Sequence, residues 1–399
     1  MNVKKKVLFI FFVVIILFSL IGGGIYLSKK YQAQADARAI VKAQQDKVEE
    51  LINGRRDTQA KGGEVDVFGD DNLVRVLLVG LDSRTGQPSA HCDAIQLFEI
   101  NRVNKTISIT AVPRGTYAPL PGVGHLATDY YVSKSCEVGG LEYGIEQIER
   151  ILGKKADYVV MVGFSEALGI LRYLKLPTTE TLQWLRHRQG YAIGEPQRAR
   201  NHSTFLKQMI VKYIPDDKDR LDNTWQYLLY KMIKTDLSFD GTKQVVNEIA
   251  QMNLGEEPWR VSLSMRPAYE VQDIAYDPEK VDEYLHRMID PIKHLLNKDD
   301  YSDISDEDAE KRLLDLIKTN KNEKEFIEWA FDNNLWLQVE SDEKRAEFHY
   351  HFISKYAESL ETLEEQEELI ADYILEMEYI GLLEWRDKGR RLLEELIAQ

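Results

Sequence analysis

A surplus of positive charge is what this chain lacks: 66 aspartates and glutamates face 51 lysines and arginines, for a formal charge of -15 at pH 7. That balance excludes nucleic acid as the main partner, because a phosphate backbone rewards a basic surface. Any recognition of phosphate must therefore be local. Cysteine is nearly absent, Cys92 and Cys136 being the only two, so no disulfide framework holds the fold. The pair is compatible with a single bridge outside the cytoplasm or with two buried thiols. No repeat of fixed period is present, which excludes solenoids and propellers.

Long apolar runs are also scarce, with one exception. Val7 to Leu27, VLFIFFVVIILFSLIGGGIYL, carries no charge and at helical rise spans about 30 Å of hydrocarbon. It is predicted to be an uncleaved transmembrane helix, although the small residues from Gln32 to Ala37 leave signal cleavage open. Lys4, Lys5 and Lys6 favour a cytoplasmic N-terminus, against a weaker pull from Lys29 and Lys30. The expected protein is single-pass in the cell membrane, with its main body extracellular.

Four regions follow from composition. Residues 1–30 are a cytoplasmic tail and transmembrane anchor, 31–64 a polar helical stalk and linker, 65–295 the folded body, and 296–399 an acidic helical C-terminal region. In the body, Val74–Gly80, Asp93–Ile100, Thr106–Val112, Asp157–Gly163 and Val261–Met265 are short β-rich runs, and Asn101 to Lys105 reads as a hairpin turn. Leu141–Leu152, Phe164–Leu174 and Ser203–Tyr213 carry apolar residues at helical spacing, and Thr235 to Met252 reads as a turn and a capped helix. The fold class expected is α/β: a mixed central sheet flanked by helices, with a C-terminal α-helical appendage. In that appendage Leu313, Leu314, Ile317, Phe326, Trp329 and Ala330 fall at three-to-four spacing.

The stretch with most chemistry is LRHRQGYAIGEPQRARNHS, Leu185 to Ser203, which crowds Arg186, Arg188, Arg198 and Arg200 together. Guanidiniums so close repel one another unless an anion lies between them, and their forks match phosphate oxygens. The plainer alternative is a solvated basic loop paired with local acids. Asp82 comes directly after the first strand in GLDSR and Asp93 opens the second, which puts two carboxylates at the same end of adjacent strands. Oxygen donors of this kind suit Mg²⁺, whose remaining shell is water and substrate phosphate. Turn capping is the competing explanation. Arg114, in VPRGTY after the third strand, reaches the same rim, followed by a Pro/Gly loop and His125.

The order GLDSR, HCD, VPRGTY, Gly139-Gly140, DYVVMVGF, RHR and RAR resembles the LytR-CpsA-Psr family of membrane-anchored cell-wall enzymes, over roughly Val74 to Tyr213. The resemblance implies transfer of an anionic glycopolymer, such as wall teichoic acid or capsular polysaccharide, from an undecaprenyl pyrophosphate carrier to peptidoglycan. It implies Asp82 and Asp93 as Mg²⁺ ligands, and Arg114, Arg186, Arg188 and Arg198 as the catalytic grip on the pyrophosphate. Arg84, His91, His125, Arg200 and His202 are the further substrate-binding candidates. It also implies a polyprenyl tail beside Phe164–Leu174 and Phe205–Met209, faces that spacing alone reads as core. The chain departs from the family at His91-Cys92-Asp93, where Arg precedes Ser-Asp, and at Gly115, where Asp is usual. It also has His125-Leu126-Ala127 for Lys-Ile-Asn, and Asn201-His202 for Arg-Gln. Histidine at 91 and 125 would make anion binding weaken as pH rises. Two other function classes fit the residues: a catalytically weakened scaffold or regulator that binds polyprenyl phosphate, and an anchored body whose arginine loop meets a protein partner.

Overall fold

The computed structural model describes residues 46, 48–56, 66–82, 91–126, 129–188, 191–215, 222–295 and 306–398. The expected span Val7–Leu27 and Arg84 lie outside the described residues, as does most of the stalk. Among the described residues no helix is long and apolar enough to cross a membrane.

Leucine and β-branched residues make the strands, and their alternation explains the layers. In β1 (Leu73–Asp82) Leu77, Val79 and Leu81 turn to one side, while Val74 and Val76 turn to the other. In β2 (His91–Asn101) Ile95 and Leu97 oppose Phe98 and Ile100 in the same way. A hairpin joins β2 to β3 (Thr106–Ala111) through the expected turn, where the Asn104 N–H donates to Asn101 Oδ1 at 2.8 Å. With β4 (Tyr158–Val162), β5 (Lys234–Thr235) and β6 (Val261–Met265) they form a six-stranded sheet in the order β5-β4-β1-β2-β3-β6. It is mixed: β1 runs parallel to β4 and β3 to β6, and the other pairs are antiparallel.

Helices bury both faces. On one side lie α1, described over 48–56, α2 (Val132–Gly139) and α3 (Leu141–Leu152), whose Leu141, Ile145, Ile148 and Leu152 form one stripe against the sheet. On the other lies α8 (Phe239–Ala250), capped by Ser238 and packed through Val245 and Ile249 on Ile107 and Ile109. Beside it α4 (Phe164–Tyr173), α5 (Thr178–Arg186), α6 (Gly194–Tyr213) and α9 (Val281–Ile289) enclose Leu171, Trp184, Phe205, Tyr276 and Leu285. Trp184 and Phe205 both meet Tyr276 edge-on, with ring centroids 5.3 and 5.2 Å apart. The apolar positions of α4 and α6 thus serve as packed core.

The C-terminal region is helical as expected, with α10 (Asp306–Asn320), α11 (Lys324–Asp332), α12 (Asp342–Ala357), α13 (Leu363–Tyr379) and α14 (Leu383–Ile397). Leu314, Ile317, Phe326, Trp329 and Ala330 build its own core, with Leu313 packed at the edge. It docks on the α/β body by polar contacts: Asn334 donates to Glu166 at 2.8 Å, and Gln338 to Ser165 Oγ at 2.9 Å. On α7 (Asn223–Lys231), Tyr227 and Lys231 hold Asp372, each at 2.8 Å.

Cys92 and Cys136 form a disulfide that ties β2 to α2, which resolves the two alternatives the sequence left open. Gly144 makes room for it, since a Cβ there would stand 2.3 Å from Cys136 Sγ. Gly144→Ala is therefore expected to destabilise the protein by about 1–3 kcal/mol through overpacking, read as a lowered urea midpoint with unchanged slope.

Candidate functional site

Asp93 owes its position to a β-bulge. The β1–β2 register passes from Gly80↔Ala94 to Leu81↔Cys92, which leaves Asp93 as the extra residue, and a bulge of this kind re-aims its side chain. Arg114 follows β3 in a tight turn closed by the Thr116 N–H to the Pro113 carbonyl at 2.9 Å. Its Nη1 lies 2.5 Å from Asp93 Oδ1. Arg188 leaves α5, and α6 starts at Gly194 directly against it: a Cβ at 194 would meet the Arg188 carbonyl oxygen at 2.6 Å. Glycine alone permits that approach.

Glu195, in the first turn of α6, is the centre of the site. Its Oε1 accepts from Arg188 Nη1 at 2.8 Å and lies 3.5 Å from Arg114 Nε. Its Oε2 lies 2.9 Å from Arg198 Nη2, one turn along the same helix. Arg198 also spans to Asp93, with Nη1 3.9 Å from Oδ2 and Nη2 donating to the carbonyl oxygen at 3.4 Å. Arg198 retains 7% side-chain exposure, whereas Arg114 and Arg188 keep 27% and 35%. The cluster is therefore rooted in the protein and open at its outer edge. Three guanidiniums meet two carboxylates here, and guanidinium forks of this kind match phosphate oxygens.

Burial alone would raise the Glu195 pKa, but the charge of Arg198, the hydrogen bond from Arg188 and the charge of Arg114 outweigh it and hold the carboxyl below its ordinary value. Arg198 is pulled down by burial, against the opposing charges of Glu195 and Asp93. A carboxyl depressed in this way stabilises the fold fully above its ordinary 4.5, and the contribution is lost as pH falls through the folded value. Glu195 also occupies donors that a phosphate would use. Glu195→Gln is accordingly expected to tighten binding of inorganic pyrophosphate by roughly fivefold, about 1 kcal/mol for a partly exposed pair, measured by calorimetry.

Other candidate positions lie elsewhere. Arg186 is exposed at the end of α5 and pairs with neither carboxylate among the described residues. Arg200 pairs with Asp273 at 2.5 Å. His91 faces Glu137 at 3.6 Å, beside Lys134, and His125 lies 2.8 Å from the Pro121 carbonyl oxygen. His202 is half-buried behind the cluster, where Nε2 donates to the Leu185 carbonyl at 2.6 Å. Burial first, and then the charge of Arg198, lower its pKa to about 4, so it is neutral near pH 7 and serves to join α6 to α5. Asp82 ends β1 opposite His91, at the same sheet end as Asp93. Glu195 was missed by sequence reading, although an acid in the G-E-P start of a helix, three residues before Arg198, is a signal for it.

Residues 27–168 match the LytR_cpsA_psr family model. The matched segment is under half of the chain and resembles the LytR-CpsA-Psr family. It takes in β1 to β4, Asp93 and Arg114, while Arg188, Glu195 and Arg198 follow it. The chain is similar to proteins called polyisoprenyl-teichoic acid–peptidoglycan teichoic acid transferase TagU. The Bacillus cereus protein is 28% identical over 166 residues and the Bacillus mycoides protein 26%. Each alignment covers 41% of this chain, and the chain spans 50% of the relative's length. A crystal structure of B. subtilis TagV superposes with a TM-score of 0.41 at 15% identity, over 55% of this chain and 98% of that one.

Proposed function

We propose that this protein is a membrane-anchored phosphotransferase of the LytR-CpsA-Psr kind that moves an anionic glycopolymer from a polyprenyl pyrophosphate carrier to peptidoglycan. The observation that carries the reading is the convergence of Arg114, Arg188 and Arg198 on Asp93 and Glu195 at the sheet rim. The names of the TagU relatives support the same class of donor and acceptor.

In the proposed reaction an acceptor hydroxyl oxygen attacks the phosphorus that carries the glycopolymer. The bridging P–O bond breaks, polyprenyl phosphate leaves with the bridging oxygen and its electron pair, and the proton of the hydroxyl passes to that leaving phosphate or to solvent. Little else is asked of the protein than positioning and neutralising charge, which is what fixed guanidiniums supply. Arg198, held by two carboxylates, would keep one phosphoryl group in register, and Arg114 and Arg188 would follow it from the open side.

Mg²⁺ fits the residues present. Asp93 offers carboxylate oxygen at the rim, its Oδ2 beyond hydrogen-bond distance of Arg198 at 3.9 Å, and Asp82 closes the neighbouring strand at the same sheet end. When bound, the ion would add neutralisation of phosphate charge. No cluster of three or more metal-ligating side chains exists among the described residues, so water and phosphate oxygens would complete the shell. The Cys92–Cys136 bridge supports the extracellular placement proposed for the body, because disulfides persist in oxidising compartments.

A second reading, a polyprenyl-phosphate-binding scaffold, is favoured by Arg200, already paired with Asp273, and by His91, turned to Glu137. The full chain in detergent, given a polyprenyl pyrophosphate-linked glycan and Mg²⁺, distinguishes the two. Turnover that depends on Arg188 and Arg198 supports the enzyme, and binding without turnover supports the scaffold. Absence of both overturns each reading.

A further inference from the structure

Where α4 meets the C-terminal helices there is a cavity of about 450 Å³, within the range of small-molecule sites. It takes no part in the arginine cluster. Glu376 of α13 lines it, with a fifth of its side chain (20%) still accessible. Its one ionic contact among the described residues is His349 Nε2 at 4.0 Å. His349 is buried between Trp336, stacked on it at 4.1 Å, and Tyr373, and burial lowers its pKa to about 3. It therefore brings no positive charge.

The remaining groups around Glu376 do not compensate it. Burial raises its pKa to about 7, the nearby Tyr173 hydroxyl of α4 opposes the rise without a formed hydrogen bond, and the neighbouring charge of Asp372 adds to it. Arg172 and Arg345 also line the cavity, but both are engaged by the segment Leu337 to Asp342. Arg172 bonds to the carbonyls of Leu337 and Val339 and lies 3.7 Å from Glu340. Arg345 bonds to the Val339 and Glu340 carbonyls and pairs with Asp342. Neither acts on Glu376. A carboxylate withdrawn from water without a cation is costly, and a cation entering the cavity would remove that cost. Met377, Ile380 and Leu382 supply an apolar wall beside it, and Trp336 an aromatic one.

We propose that this cavity binds a small organic cation, an ammonium on an apolar stem, with its charge against Glu376 and its stem against Met377, Ile380 and Leu382. Such a ligand would lock the C-terminal helices onto the α/β body. Without it, ionising Glu376 opposes docking: the stability this carboxyl allows is complete below its ordinary 4.5 and is lost as pH rises through about 7. Cation binding follows the opposite course, strengthening as Glu376 ionises.

Calorimetry on the full chain in detergent, with cyclohexylammonium as probe and cyclohexanol and cyclohexanecarboxylate as controls, tests the proposal. The ammonium is expected to bind at pH 8, roughly tenfold more weakly at pH 6, with release of a proton in the acidic range. Glu376→Gln, close in shape and uncharged, should lose binding, and Arg198→Ala should leave it intact. Binding unchanged in Glu376→Gln, equal binding of either control, an affinity flat with pH, or no binding up to millimolar probe overturns the proposal. Proton release is read on the unaltered protein, so the outcome does not depend on the variant folding.

Discussion

Arg198→Ala is expected to abolish pyrophosphate binding and to lower glycopolymer transfer by about 10²–10³-fold, the usual loss when one preorganised donor to developing charge is removed. Arg198 is the buried member of the cluster and touches both Asp93 and Glu195, so its removal also leaves two carboxylates facing each other with less to hold them. Breaking a buried pair costs about 3–5 kcal/mol. The cost here should fall near the lower bound, because Arg114 and Arg188 remain beside the same acids. Arg198→Lys separates the two effects: it restores charge, and hence much of the stability, but a single ammonium cannot replace a planar fork. Arg188→Ala, at the open edge, should weaken binding while costing under about 1 kcal/mol of stability. Denaturant midpoints and pyrophosphate titrations on these variants decide the matter. Full binding by Arg198→Ala would mean that the cluster is a structural ion-pair network.

How far the sequence could be read depended on whether the signal was local. The strand Val261–Met265 and the helix Leu141–Leu152 fall where alternation and helical spacing put them, since a two-sided buried sheet and one apolar stripe leave direct marks in the chain. The start of α6 is different. Ser203 was the expected first residue, but the helix begins at Gly194, because charged Arg198 and Arg200 hide the pattern that burial would otherwise reveal. That shift matters for the site. It turns RAR from a loop motif into a helical one, which sends Arg198 inward to Asp93 and Arg200 away to Asp273. Side chains two residues apart on a helix face different ways. Arg186 and Arg188 part for another reason: α5 ends at Arg186, and the extended backbone at His187 carries Arg188 to Glu195. Asp93 was legible as a rim carboxylate, whereas the bulge that aims it depends on pairing with β1 and leaves no mark in its own strand.

Replacing both cysteines, Cys92→Ser with Cys136→Ser, is expected to cost about 4 kcal/mol, the loop-entropy value for a closed loop of this size. The sequence separation is 44 residues. For a chain of this length that corresponds to a fall in Tm of roughly 5 °C. The loss is not confined to chain entropy. Cys92 and Cys136 both sit in the core between the sheet and α3, and each is next to a polar residue of the rim: Asp93 follows one, and Glu137, which faces His91, follows the other. Loosening α2 from β2 therefore frees the strand end whose bulge presents Asp93 to Arg114 and Arg198. Transfer activity should fall further than the population of unfolded protein accounts for. A reducing agent should reproduce the shift in the parent protein and leave the double variant unchanged. If calorimetry finds the same Tm before and after reduction, the bridge contributes nothing to stability. The link drawn from an oxidised β2–α2 clamp to the geometry of the arginine cluster then fails.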